Sequence, residues 1–499
     1  MRIGRRRDAL LPNAWHHVGM IRMSLPFRRM SRRAFVQTTA LAAGALSVPA
    51  FAPGCGRTEA PADEAPKGAA DAARFRLVTL DPGHFHAALV QKSMYADVSP
   101  VVHVYAPGGE ELQQHIARIE SYNTRAADPT RWELQLHTSA DFLYRMLADR
   151  AGNIVMISGN NARKTEYIVR AVEAGFNVLA DKPMARTPDD LVRLEQAFRV
   201  AEEKGVLLYD IMTERFEITS MLQRELSRVP ALFGELQKGT AAEPAITKES
   251  VHHFSKIVSG APLIRPAWFF DVAQQSEGIA DVTTHLVDLI QWTVFPEEAL
   301  LPADATMLQA RRWTTAVSRD EFAKVTGASE FPDYLRGAVR DGVLHVYSNG
   351  EFTYRLRDVH AKVSVVWNFE APAGTGDTHF SMMRGSRANL VIRQGEAEKF
   401  TPVLYVERAA SVTEADHEAA VKDTVSSLQD RYPGVDVRRD GDRWAVAVPA
   451  SYAVGHEAHF TQVTENFLTY LRAGTMPAWE VPVMLTKYAT IMKAYEMSR

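Results

Sequence analysis

Asn153-Ile154-Val155-Met156-Ile157-Ser158, the turn Gly159-Asn160-Asn161, a helical run from Lys164 to Ala174, and Phe176-Asn177-Val178-Leu179-Ala180-Asp181-Lys182-Pro183 read as one strand–helix–strand unit. The first run is continuously apolar, as a strand buried on both faces requires, and Gly175 stops the helix. Working outward, Arg74 to Leu80 is another short buried strand, and Ala87 to Met94 starts a helix. Val101 to Tyr105 is a further strand, after which Gly108-Gly109-Glu110-Glu111 opens a second helix. Strands alternating with helices predict a mostly parallel sheet, which binds its ligands at the carboxyl ends of the strands. The unusual turns all fall at those ends. Between the Arg74 strand and its helix lies Asp81-Pro82-Gly83-His84-Phe85-His86. A dinucleotide turn brings backbone amides up to a pyrophosphate at a helix N-terminus. Only Gly83 remains of the usual three glycines, so an ordinary strand-to-helix turn explains this segment equally well.

The segment Gly278-Ile279-Ala280-Asp281-Val282-Thr283-Thr284-His285-Leu286-Val287-Asp288-Leu289-Ile290-Gln291-Trp292 carries the second signal. Asp281, His285 and Asp288 recur at spacings of four and three, which puts them on one face of a helix. The remaining positions are mostly apolar, so the helix is expected to be buried. A histidine oriented by a carboxylate, with its basicity raised, suits a general base. A satisfied core histidine beside an acid that complements the helix dipole is the plainer alternative.

Asp181-Lys182-Pro183 at a strand end resembles the Glu-Lys-Pro signature of the glucose-fructose oxidoreductase, inositol dehydrogenase and rhizopine-catabolism group (Gfo/Idh/MocA), with Asp in place of Glu. The Asp281-x-x-x-His285-x-x-Asp288 segment is similar to that family's substrate-domain helix at every position. The resemblance runs from Arg74 to roughly residue 410 and includes the closing helix. It implies an α/β chain: a Rossmann-like doubly wound parallel sheet over residues 74–215, then an α+β domain with a large, mostly antiparallel sheet over 216–499. It further implies that Lys182 holds the reacting hydroxyl, that His285 takes its proton, and that Asp281 orients His285. Lys182, His285 and Asp288 would line the substrate. The cofactor, NAD or NADP, would have its nicotinamide near Asp181 and the Ser158-Gly159-Asn160-Asn161 turn, and its pyrophosphate over Gly83, His84, Phe85 and His86. No acid closes the second strand at Tyr105-Ala106, so the two cofactors are not separated.

Beyond residue 300, alternating strands such as His360 to Phe369 and Ala388 to Ile392 fit a sheet with one solvated face. Residues 411–450 read as an insertion: a polar helix, then a hairpin around Asp440-Gly441. His459 to Leu471 and Val481 to Met497 read as amphipathic closing helices. His252-His253 and Asp377-Thr378-His379 are candidate substrate contacts, and without a third ligand no metal is expected.

The amino terminus is an address. Residues 1–54 hold nine arginines and one acid, and Ser31-Arg32-Arg33-Ala34-Phe35-Val36-Gln37 precedes a mild apolar run, the twin-arginine export pattern. Ala52-Pro53-Gly54-Cys55 resembles a lipoprotein box, and residues 56–73 have the composition of a flexible tether. Ala50-Phe51-Ala52 has instead the form of an ordinary signal cleavage site, so these features predict a periplasmic protein either lipid-anchored at Cys55, as its only membrane attachment, or free. The chain after residue 54 carries 48 bases against 59 acids, which argues against non-specific nucleic-acid binding. With 46% hydrophobic residues it can fill sizeable cores, and a single cysteine permits no internal disulfide.

The function implied is oxidation of a hydroxyl on a sugar, glycoside or polyol by an enzyme holding its cofactor tightly, because free nicotinamide is scarce outside the cytoplasm. A glycosidase of the same fold that recycles its cofactor, and a non-catalytic lipid-anchored sugar-binding protein, are the alternatives. A homo-oligomer formed through the open sheet is a family expectation.

Overall fold

The computed structural model describes residues 73–258 and 260–499; the export segment, Cys55 and most of the tether lie outside the described residues. Six strands form a parallel sheet: β1 (Leu77–Leu80), β2 (Val101–Ala106), β3 (Glu133–Thr138), β4 (Ile154–Ile157), β5 (Asn177–Asp181) and β6 (Leu208–Ile211). Their order is 3-2-1-4-5-6, with all neighbours parallel. The direction of winding therefore reverses between β1 and β4, which opens the crevice where such sheets bind ligands. Helices α1 (His86–Leu89), α2 (Glu110–Thr124), α3 (Phe142–Asp149), α4 (Asn161–Glu173) and α5 (Pro188–Lys204) connect the strands. β1, β4 and β6 are buried throughout, so their sequences are mainly apolar, and the one acid, Asp210 of β6, is paired with Lys487. β3 sits at the edge with most residues at least half exposed, and its Glu-Leu-Gln-Leu-His-Thr text carries no such run.

The helix expected from Ala87 to Met94 ends at Leu89. Past it, Gln91 and Lys92 donate to carbonyls only three residues back, and the Tyr95 hydroxyl takes the Val90 carbonyl, so the chain tightens into turns. The turn after β1 thus opens on a single turn of helix rather than a longer one.

The second sheet follows α6 (Ile218–Ser227). It contains β7 (Ile246–Ser255), and after the small pair β8 (Ile257–Val258) and β9 (Ala261–Pro262) come α7 (Thr283–Val294), β10 (Ala305–Val317), α8 (Arg319–Thr326), β11 (Val339–Arg340), β12 (Val343–Leu356) and β13 (Val359–Glu370). β14 (Thr378–Arg384), β15 (Ala388–Arg393) and β16 (Val403–Arg408) complete its middle, and α9 (Glu414–Leu428) leads to the hairpin β17 (Asp436–Asp440) and β18 (Arg443–Ala447). The order is β10-β12-β13-β7-β14-β15-β16-β18-β17, with β11 beside β12, and every pairing is antiparallel except β13 with β7. The segment read as an insertion extends this sheet, since Tyr405 of β16 pairs with Ala445 of β18.

The closing helices pack across the boundary near residue 215. On α10 (His456–Ala473), Phe460, Val463, Phe467, Leu468 and Leu471 fill the first core. On α11 (Glu480–Met497), Met484 and Tyr488 face the first core while Val483, Ile491 and Met492 face the second. The last helices therefore join the two sheets, which holds the carboxyl ends of the first against α7.

Candidate active site

β5 delivers Asp181 and Lys182 to the crevice, and the Lys182–Pro183 peptide is cis. The Lys182 ammonium donates to Asp281 Oδ1 at 2.6 Å, and both side chains are largely buried. Asp281 Oδ2 accepts from the Gln275 amide at 3.0 Å. Asp281 precedes the helix, in turns where its amide donates to Glu277 and its carbonyl accepts from Thr284. Gly278 permits this entry, because a Cβ there would lie 1.7 Å from the Ser348 carbonyl oxygen.

This geometry corrects the role assigned to Asp281: both of its oxygens bind Lys182 and Gln275, so it positions the lysine and does not orient His285. His285 Nδ1 has no hydrogen-bond partner among the described residues. Its basicity is not raised either. Burial pushes His285 down to about 3, with Glu214 opposing and the Lys182 ammonium reinforcing that shift, so the imidazole is neutral at physiological pH.

Asp288 is also corrected. It is 1% exposed, its oxygens accept from Arg215 at 2.6 and 2.8 Å, and Lys487 donates to it at 3.0 Å. Arg215 also binds Glu480, and Lys487 also binds Asp210 at the end of β6. This buried network ties β6, α7 and α11 together and, with Asp288 1% exposed, engages both of its oxygens away from the crevice.

At the first turn, Asp81 takes a left-handed backbone conformation, φ 48°, where a dinucleotide turn usually has glycine, and its carboxylate accepts from the Tyr167 hydroxyl. His86 Nδ1 lies 3.0 Å from Asp181 Oδ2, and His84 Nδ1 lies 3.7 Å from the same oxygen. Ser158 Oγ donates to that oxygen at 3.0 Å. Burial holds His84 well below the usual histidine range and lowers His86 to about 4. Burial alone would raise the Asp181 carboxyl, but His86, Lys164 and His84 bring it well below the ordinary range, so a charged carboxylate receives neutral imidazoles. Phe85 lies under the Arg118 guanidinium. Gly159 is required by close approach: a Cβ there would meet the Asp81 carbonyl at 2.2 Å. Asn160 caps α4 and donates to Gln274, and Asn161 donates to the Gln275 carbonyl, so both amides hold the second domain.

Two family models match the chain. "Oxidoreductase family, NAD-binding Rossmann fold" covers residues 83–210, and "Putative oxidoreductase C terminal domain" covers 222–499, including the 411–450 segment. Among solved structures, a "putative oxidoreductase" from Parabacteroides merdae is 52% identical with a TM-score of 0.83, covering 85% of this chain and 98% of that one.

The chain belongs to the Gfo/Idh/MocA oxidoreductase family.

More distant solved structures share the fold. Levoglucosan dehydrogenase in complex with NADH matches at 13% identity and TM-score 0.52, covering 85% of this chain and 98% of that one. KijD10, a 3-ketoreductase from Actinomadura kijaniata in complex with NADP and TDP-benzene, matches at 13% identity and TM-score 0.50, covering 85% of this chain and 97% of that one. No curated protein matches this chain.

The nicotinamide dinucleotide is the cofactor of the Gfo/Idh/MocA Rossmann domain, and this crevice meets it unevenly. Lys182, Asp281 and His285 fit the nicotinamide side, where hydride chemistry needs a held oxygen and a proton acceptor. At the turn, the protein's own groups fill the cradle. The amides of Gly83, His84 and His86 donate to the Asp81 carbonyl, the Ser158 carbonyl and His84 Nδ1. The Trp268 indole donates to Glu111 at 2.6 Å, and both crowd Gly83 within about 3.5 Å of a Cβ position. The void among Gly83, His84, Phe85, Glu111, Arg118 and Phe269 is about 20 Å³, room for one water. Ligand pockets run to roughly 300–1,000 Å³. A dinucleotide therefore needs the Trp268–Glu111 contact to part.

Several residues of the site escaped the sequence reading. Lys164, fully buried on α4, donates to the Lys182 carbonyl at 3.0 Å, and burial lowers it to about 8. Glu214 binds His456 at 3.2 Å; burial would raise it, but His456, His285 and His459 hold it below the usual carboxylate range. The His456-x-x-His459 spacing at the start of α10 was the available signal, and Phe460 beside them packs on His86 at 4.6 Å between centroids. Asp377 gathers His252 at 3.0 Å, His253 at 3.2 Å and Lys256 at 2.6 Å, the lysine being an unsuitable companion for a cation.

Proposed function

We propose that this protein is a nicotinamide-dependent oxidoreductase acting on a hydroxyl of a sugar, glycoside or polyol. The observation that carries the reading is the buried Lys182–Asp281 pair with neutral His285 on the following helix, at the carboxyl end of a Rossmann strand. Levoglucosan dehydrogenase and a 3-ketoreductase among the fold relatives support the carbohydrate class.

Asp281 anchors the Lys182 ammonium so that its remaining protons point to one oxygen. That ammonium stabilises the negative charge developing on the substrate oxygen. His285 accepts the hydroxyl proton, and the imidazolium so formed faces the ionised Glu214. The nicotinamide, when bound, supplies the hydride acceptor. Asp288 is excluded from these roles by its ion pairs.

We further propose that the protein is exported by the twin-arginine route and anchored through Cys55, as the Arg32-Arg33 pattern and the residues before Cys55 support. Export of a folded protein suits a cofactor loaded in the cytoplasm and kept. The filled phosphate turn favours, as second reading, a sugar-binding protein with a degenerate nucleotide site.

The test is a panel of glycosides and free sugars, followed for nicotinamide absorbance, keto-sugar and released aglycone, on protein assayed also for cofactor after denaturation. Keto-sugar with reduced cofactor is the expected result. Aglycone release without net reduction would mark a recycling glycosidase, and absence of any nicotinamide, bound or added, would leave the binding-protein reading.

A further inference from the structure

At the carboxyl ends of β1 and β5, His84, His86 and Asp181 each offer a possible ligand atom, and these atoms all lie within 4.8 Å of one another. Among the described residues no other group of three histidine, cysteine, aspartate or glutamate side chains meets that spacing. Asp181 Oδ2 is 3.0 Å from His86 Nδ1 and 3.7 Å from His84 Nδ1. Ligand atoms on a tetrahedral ion, each about 2.0–2.2 Å from it, stand roughly 3.3–3.6 Å from each other. The two separations bracket that value, and a side-chain rotation that frees His84 Nδ1 from the His86 amide would bring both imidazoles and the carboxylate onto a common centre.

We propose that His84, His86 and Asp181 bind one divalent transition-metal ion.

Two departures from the family signatures meet in this cluster. His86 occupies the last of the three positions that are glycine in a dinucleotide turn, and Asp181 stands where the family has the longer Glu. A glycine supplies no ligand, so the cluster exists because of these residues and not because of the fold. The surroundings are those of a built site. Ser158 Oγ donates to Asp181 Oδ2 and fixes the carboxylate, as partners behind a metal ligand do. Phe460 packs on the His86 ring at 4.6 Å and holds its orientation. Of the two neighbouring ammoniums, Lys182 is paired with Asp281 and Lys164 donates to the Lys182 carbonyl.

The donor set names the class of ion. Two imidazoles and one carboxylate suit zinc, iron(II), cobalt(II) or manganese(II), whereas calcium and magnesium favour shells of oxygen alone. Three protein ligands leave open positions for water or a substrate hydroxyl. This inference does not rest on the dehydrogenase reading, since either the cation or the nicotinamide can be found without the other.

The test uses tag-free full-length protein, stripped with chelator and titrated with cobalt(II), followed by visible absorption and then by zinc competition. One equivalent is expected to saturate the wild type. Asp181→Asn and His86→Gln should each weaken binding at least a hundredfold, while His103→Gln, which alters the His103–His137 pair at 2.9 Å on β2 and β3, should leave it unchanged. Far-ultraviolet dichroism checks folding; if the more buried positions do not tolerate substitution, His84→Gln carries the test. Failure of cobalt and zinc to saturate at one equivalent, or equal binding by wild type and folded variants, would overturn the proposal. Nicotinamide content of the same preparations is measured separately, so a failed cation site and a failed cofactor site give different results.

Discussion

Asp288→Asn separates a structural acid from a substrate contact. In the folded chain its carboxylate, 1% exposed, holds Arg215 through two bonds and Lys487 through a third. Burial alone would raise the Asp288 pKa, but Arg215 and Lys487 bring it to about 2. Against an ordinary aspartate near 3.9, that difference is worth roughly 2–3 kcal/mol of stability. Removing one member of a buried pair commonly costs about 3–5 kcal/mol. The lower end applies here, because Glu480 and Asp210 still partner the two cations. A loss of about 3 kcal/mol should lower the urea midpoint by roughly 1 M for an m-value near 3 kcal/mol/M. The sign with pH follows from the depressed value: the contribution is complete above about pH 4 and disappears as pH falls through about 2, so the gap between wild type and variant narrows on acidification. Urea unfolding by tryptophan fluorescence and dichroism at pH 7 and pH 3 measures it, with turnover per folded molecule measured alongside. An unchanged midpoint accompanied by collapsed turnover would refute the reasoning and return Asp288 to the substrate.

Lys182→Ala and Asp281→Asn should each reduce turnover on an active substrate by about a hundred to ten thousand-fold with little change in cofactor affinity, as steady-state kinetics and calorimetry will report; normal turnover in both would remove this pair from the chemistry. Glu111→Gln breaks the charge-assisted bond to Trp268 and removes a carboxylate from the phosphate turn. Dinucleotide binding by calorimetry should tighten roughly tenfold, about 1.4 kcal/mol, and unchanged binding would show that Glu111 does not guard the turn. Cys55→Ser should release the protein from membranes and abolish labelling by a fatty-acid probe, since a stable lipid anchor needs the acyl chains that this cysteine would carry; continued membrane association would place the tether elsewhere.

The alternating strands and helices of the first half were legible because strands such as β1 and β4 are buried on both faces and hold mostly apolar residues. The edge strand β3, solvated and polar, was not. Lys182 could be picked out because Asp-Lys-Pro at a strand end is a local pattern, and so could the spacing of Asp281, His285 and Asp288. Their partners could not. Glu214, His456 and Lys164 join the site from separate elements, and apart from the His456-x-x-His459 spacing nothing in their own neighbourhoods marks them.

What the sequence by itself determined is therefore the order of elements, the crevice at the strand ends and the family to which the chain belongs, because burial and turn geometry act on neighbouring residues and leave a periodic record. Only the tertiary structure decided which acid serves which base. Asp281 and Asp288 stand seven residues apart in one motif, yet one holds Lys182 from β5 and the other holds Arg215 and Lys487 from the chain's far end. Charge pairing is set by distances of about 3 Å between side chains brought together in space, and such distances depend on how whole helices and sheets pack, which no spacing along the chain encodes.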